Sequence, residues 1–148
     1  MEVSVVFEAL PEDGRTHIMI NLLLCGNEKV FDGALTLLIS MTNRTKEAVH
    51  VFIMTMDLQR LSPDYVCITE AQTDFLEKVI QGKNPENKVT RLDVTHLYEM
   101  AFHQCINEGA YCTPYTLLRL LADVTPGIPD KILYLDMDIM IAGDIKEL

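Results

Sequence analysis

The sequence predicts an α/β protein with a mainly parallel, Rossmann-like sheet and flanking helices, and three observations carry that expectation. Apolar runs of strand length alternate along the chain with segments whose apolar residues recur at helical spacing. Strands joined through helices imply right-handed crossovers and parallel neighbours. A length of 148 residues, 49% of them apolar and 23% charged, suits one domain with a substantial core.

Taken in order, residues 1–16 read as an N-terminal extension or edge strand, with Val3, Val5 and Phe7 alternating ahead of a turn at Pro11-Glu12-Asp13-Gly14. Ile18 to Leu24 is a nearly continuous apolar run, as expected of a strand covered on both faces, and Cys25-Gly26-Asn27 breaks it. From about Lys29 to Met41, Phe31, Ala34, Leu35, Leu38 and Ile39 predict an amphipathic helix. Ala48 to Met54 predicts a second strand. A second helix carries Phe75, Leu76, Val79 and Ile80, with Thr69 or Thr73 as its N-cap and Gly82 at its C-terminal end. Lys88 to Val94 predicts a third strand, and residues 96–108 carry no assignable pattern. Thr113-Pro114 predicts an N-cap and first-turn proline for a helix bearing Leu117, Leu118, Leu120 and Leu121, closed by Pro126-Gly127-Ile128-Pro129. Lys131 to Leu135 is a last strand running into Asp136-Met137-Asp138.

Composition excludes disorder, collagen and coiled coil as overall classes. Twelve basic against 22 acidic residues give a net charge of −10, which opposes nucleic acid and anionic membranes as partners. A nucleotide remains compatible with such a surface when a divalent cation bridges the two negative parties. The four cysteines form no C-x-x-C pair and read as reduced thiols. No apolar run approaches a membrane span and Met1 to Ser4 lacks a secretory pattern, so a cytoplasmic location is expected.

In open parallel sheets ligands bind beyond the carboxyl ends of the strands. Three loops leave strands there: Cys25-Gly26-Asn27, Met56-Asp57 and Asp136-Met137-Asp138. Asp136 and Asp138 lie two apart in an extended segment, which puts both carboxylates on one side, and hard cations such as Mg2+ or Mn2+ favour oxygen donors of this kind. The bare pattern arises by chance about once in a chain of this aspartate content, so the weight falls on its context at the end of an apolar strand. The competing reading makes the pair solvated, or a cap for a neighbouring helix. His96 and His103, seven apart with Cys105 nearby, lack a fourth ligand at a zinc spacing and read as ordinary histidines. The methionines read as core filler. Cys25 has no basic sequence neighbour to lower its pKa, which argues against a nucleophile.

The segment Lys131 to Leu148, with its Leu135-Asp136-Met137-Asp138, resembles the metal-binding segment of glycosyltransferase family 8, the family of bacterial lipopolysaccharide galactosyl- and glucosyltransferases and of glycogenin. Arg119-Leu120-Leu121, twelve residues before Lys131, is similar to the arginine-containing helix that precedes that segment. The resemblance implies a GT-A fold, a UDP-sugar donor, Mn2+ or Mg2+ as cofactor, a saccharide or glycoconjugate acceptor, and hexose transfer with retention of configuration. It implies that Asp136 and Asp138 bind the metal, that Asp136, Met137 and Asp138 lie at the donor, that Arg119 faces it, and that Cys25, Gly26 and Asn27 lie against the uridine. Two positions depart from the family: Asn27 is uncharged where an acidic residue is common, and Val30 lies near a common aromatic.

The resemblance covers residues 17–148 as the nucleotide-diphospho-sugar-binding part of a GT-A domain, about its first half. The acceptor-binding part and a downstream histidine motif have no counterpart, and none of His17, His50, His96 or His103 matches the latter. The expectation is therefore a truncated unit, completed by more of its own chain, by a second copy or by a partner chain, with Ile139 to Ile141 and Leu148 forming a sticky patch where uncovered. A non-catalytic nucleotide-sugar-binding or scaffold module is the alternative. A phosphotransferase receiver is more remote, because Cys25-Gly26-Asn27-Glu28 supplies neither a glycine-rich phosphate loop nor an acidic pocket.

Overall fold

A computed structural model describes residues 18–108 and 112–147. The expected extension at 1–16 and Leu148 lie outside the described residues. Four strands, β1 (Met19–Cys25), β2 (Ala48–Thr55), β3 (Lys88–Asp93) and β4 (Leu133–Tyr134), form one sheet in the order β3-β2-β1-β4. Every neighbouring pair is parallel, with Leu22 opposite Val51 on one side and Leu133 on the other. Among the described residues three α-helices accompany it: α1 (Phe31–Thr42), α2 (Glu70–Gln81) and α3 (Thr95–Phe102). Among the described residues no helix is long and apolar enough to cross a membrane.

Strand periodicity divides the core into two layers. Leu22, Leu24, Val49, Val51 and Ile53 face α1 and α2, where they meet Leu37, Leu38, Met41, Leu76 and Ile80. Leu23, Phe52 and Met54 face the other way, onto Tyr98, Tyr115, Leu118 and Leu121. With both faces covered, β1 and β2 have little room for polar side chains, which is why their sequences read as unbroken apolar runs.

The helix over α2 starts at Thr69, not Thr73. Thr69 Oγ1 accepts the Gln72 N–H while Gln72 Oε1 accepts the Thr69 N–H, a reciprocal capping box. Thr73 is buried inside the helix. Gly82 closes α2 in right-handed geometry, so its lack of a side chain is not what the turn requires.

Three expectations need correction. The helix after Thr113 is a 3-10 helix, Pro114–Leu121, and Thr113 makes no side-chain cap; Pro114 does occupy the first turn. The last strand pairs only over Leu133–Tyr134, prolonged by Leu135 N–H donating to Leu23 O at 3.1 Å and Asn21 Nδ2 donating to Lys131 O at 3.4 Å. The region without an assignable pattern contains α3, whose start is held by Asp93 Oδ1 accepting the Thr95 N–H at 3.1 Å. Replacing Thr69 by Ala should cost about 1 kcal/mol of stability, read as a lower denaturant midpoint at unchanged slope; an unmoved midpoint would remove the capping box from the account.

Candidate functional site

The sheet order creates a switch point. β1, β2 and β3 progress to one side, and the chain then crosses to place β4 on the far side of β1. After β1 the chain enters α1, and after β4 Met137, Ile139 and Ile141 return to the same α1 layer, so the two loops lie side by side at the carboxyl edge where ligands of such sheets bind. Of the predicted site residues, Cys25 ends β1 there and Gly26 and Asn27 leave it, and Asp136, Met137 and Asp138 follow β4. Arg119 reaches the same place from the 3-10 helix.

Met137 holds the two loops together. Its side chain is only 8% exposed and belongs to the core layer on the α1 face, while Asp136 and Asp138 on either side of it are exposed. A Cβ on Gly26 would lie 2.5 Å from Met137 Cε and from Val30 Cγ2, and one on Gly33 would lie 2.5 Å from Met137 O. Glycine at both positions is what lets the acidic turn seat against β1 and α1. Met137 thus serves the site as an anchor whose burial presents the flanking carboxylates to solvent.

Asn27 is buried and its side chain is already engaged. Oδ1 accepts the Lys29 N–H at 3.1 Å, and Nδ2 donates to Asp64 O at 3.3 Å. Beyond it, Tyr115 OH donates to Met56 O at 2.9 Å and packs edge-on against Tyr65. These contacts shape the β1 and β2 loops; Asn27 acts on them as a turn former.

The charged part of the site converges on Tyr134, which sequence pattern alone does not single out. Its hydroxyl donates to Asp136 Oδ1 at 2.6 Å, and the Arg119 guanidinium lies over its ring, 5.0 Å from the centroid. Arg119 Nε also donates to Thr116 O at 3.0 Å, and among the described residues no carboxylate pairs with it. One signal is present in the sequence: Tyr134 precedes Asp136 by two in an extended segment, the spacing that shares a side. Burial, then the hydrogen bond to Asp136, raises the Tyr134 phenol above its usual range. Burial pushes the Cys25 thiol up to about 12, and the opposing pull of the Arg119 guanidinium does not offset it, so this thiol is no nucleophile at neutral pH.

Two exposed carboxylates on one turn are oxygen donors of the kind Mg2+ and Mn2+ take, and magnesium sites in proteins often comprise one or two carboxylates plus substrate phosphates. Among the described residues no group of three His, Cys, Asp or Glu side chains gathers at one point, here or elsewhere. His103 Nδ1 lies 2.6 Å from Glu99 Oε2 in a local pair within α3 and the turn after it. The expected sticky patch is reduced as well. Ile139 and Ile141 are half-buried against the α1 layer, leaving Met140 exposed.

Two measurements probe this geometry. Gly33→Ala should cost about 1–3 kcal/mol by denaturant unfolding, although alanine normally stabilises a helix, because the added Cβ meets a backbone carbonyl; a gain would show that the turn moves freely. For Cys25 the folded pKa lies above the unfolded one, so its contribution is intact below about pH 9 and is lost as pH rises toward 12. Cys25→Ala should therefore flatten the alkaline fall in stability, and parallel curves would refute the buried thiol.

No protein-family model and no curated protein sequence matches the chain. Solved structures do. A galactosyltransferase, LgtC, crystallised in complex with donor and acceptor sugar analogues, matches over 86% of this chain at 17% identity with a TM-score of 0.60. The bifunctional glycosyltransferase WbbM matches over 97% at 14% identity with a TM-score of 0.63. The chain spans 41% of the first and 22% of the second. At such identities the likeness is one of fold: a mainly parallel α/β sheet like that of the matched glycosyltransferases.

Proposed function

We propose that this chain is the donor-binding part of a metal-dependent glycosyltransferase that takes a nucleotide-diphospho-sugar, on the sequence resemblance a UDP-hexose, and passes the sugar to an acceptor hydroxyl with retention. The observation that carries the reading is the convergence of Asp136, Arg119 and Tyr134 at the carboxyl edge beside β1, with Asp138 exposed two residues on in the same turn, on a fold shared with two glycosyltransferases.

The chain is acidic overall, and a diphosphate brought to two carboxylates meets repulsion. Asp136 and Asp138 would hold Mg2+ or Mn2+, and that cation supplies the neutralisation a diphosphate leaving group needs. Arg119 contributes a fixed positive charge beside them, with terminal N–H groups suited to phosphate oxygens. Cys25 and Gly26 form the wall at the end of β1, where the loop packs closely enough to exclude a bulky side chain. Met137 keeps the acidic turn against that wall.

A binding module completed by a second chain is the other reading. It requires the same nucleotide binding and no transfer by the purified 148-residue chain, which a hydrolysis or transfer assay with UDP-hexose reads directly.

UDP with Mn2+ should raise the melting temperature, by about 2.7 kcal/mol of stabilisation at a ligand concentration about 100 times its dissociation constant. The double variant Asp136→Asn, Asp138→Asn should abolish the shift. A shift surviving in that variant would place the site elsewhere.

A further inference from the structure

We infer that Tyr134 is a positioning residue with two separable tasks: its hydroxyl orients the Asp136 carboxylate, and its ring seats the Arg119 guanidinium. The inference rests on the reading that Asp136 helps hold a cation beside a diphosphate. It goes beyond that reading by assigning a role to a residue that touches neither cation nor substrate in it.

The geometry is specific. An ionised carboxylate only accepts, so in the 2.6 Å contact the phenol is the donor and Asp136 Oδ1 the acceptor. Among the described residues Oδ2 has no hydrogen-bond or ion-pair partner, so one oxygen is tied to the protein and the other is left for a ligand. Groups that bond a metal-ligating carboxylate from behind set its direction and tune its affinity. Tyr134 can do this because it is itself fixed. It pairs with Leu23 across the β1–β4 ladder and packs half-buried against the layer formed by Phe52, Met54 and Tyr115.

The ring acts on the opposite charge. Arg119 stands on an exposed part of the 3-10 helix, where a long side chain would otherwise sample many rotamers. Stacking on Tyr134 and the Nε bond to Thr116 O hold it at two points, leaving the terminal N–H groups as donors. One side chain thus sets the spacing between a carboxylate and a guanidinium that otherwise belong to different elements.

The two tasks separate by mutation. Tyr134→Phe keeps the ring and loses the hydroxyl. It should weaken Mn2+ binding, followed by electron paramagnetic resonance of free Mn2+, about 10- to 100-fold, while UDP affinity in EDTA, measured by calorimetry, stays at the wild-type value. Tyr134→Leu removes both and should additionally weaken metal-free UDP binding, by about 2- to 5-fold as one stacking contact is lost. Thermal unfolding of each apo variant checks that it folds; should the leucine variant not fold, the phenylalanine variant decides alone. Wild-type Mn2+ affinity in Tyr134→Phe, or an equal loss of metal-free UDP binding in both variants, would overturn the inference. Failure of the wild-type chain to bind either Mn2+ or UDP is a different result, because it removes the reading on which this inference stands.

Discussion

The seating of Met137 between Gly26 and Gly33 is the constraint on which the site depends. β4 pairs with β1 over only two residues, too short a ladder to fix the acidic turn beyond it. The buried methionine supplies the missing fixity, because its side chain joins the core layer under α1 and its carbonyl lies against Gly33. Two exposed carboxylates then stand on a turn that cannot drift. Flexible thioether packing suits such a junction, since methionine adapts to irregular space at little cost in rotamer strain.

Electrostatics explains why so few residues carry the site. In a chain of net charge −10, a guanidinium with no carboxylate partner among the described residues, joined through Tyr134 to a carboxylate that could take a cation, is a place where an anionic ligand meets attraction. Several other cations are neutralised locally: Arg60 bonds Glu99 at 2.7 Å and also bonds Glu108, while Lys29 and Lys146 pair with Asp64 and Glu47. Arg119 rests instead on an aromatic ring, which attracts its charge without cancelling it.

The Arg60 cluster does a different job at the far end of the same edge. It ties the loop after β2 to α3 and to the turn after it, holding Glu99 and Glu108 below the usual carboxylate range through those bonds. Together with Tyr115 bonded to Met56 O and Asp57 N–H bonded to Thr95 Oγ1, it keeps the β2 and β3 loops fastened on the face opposite α1. The carboxyl edge of the sheet is therefore braced from both layers.

The primary structure alone determined the α/β class, the order and nearly the bounds of three strands and two helices, and the acidic pair at the end of the last strand, because periodicity and composition are local properties. β1 and β2 were legible as unbroken apolar runs since both their faces are covered, and the start of α2 was legible to within Thr69 or Thr73, the capping box with Gln72 deciding for Thr69. Tertiary structure decided the rest. The brevity of β4, the 3-10 geometry after Thr113, and α3 with its start held by Asp93 all arise from packing and hydrogen bonds that local patterns do not encode. So do the meanings of individual side chains: Met137 as an anchor, Asn27 as a turn former, and Tyr134 as the meeting point of Arg119 and Asp136. Arg119 lies 15 positions before Tyr134 and Cys25 more than 100, and only a sheet that returns β4 to the side of β1 brings groups so far apart along the chain into one field.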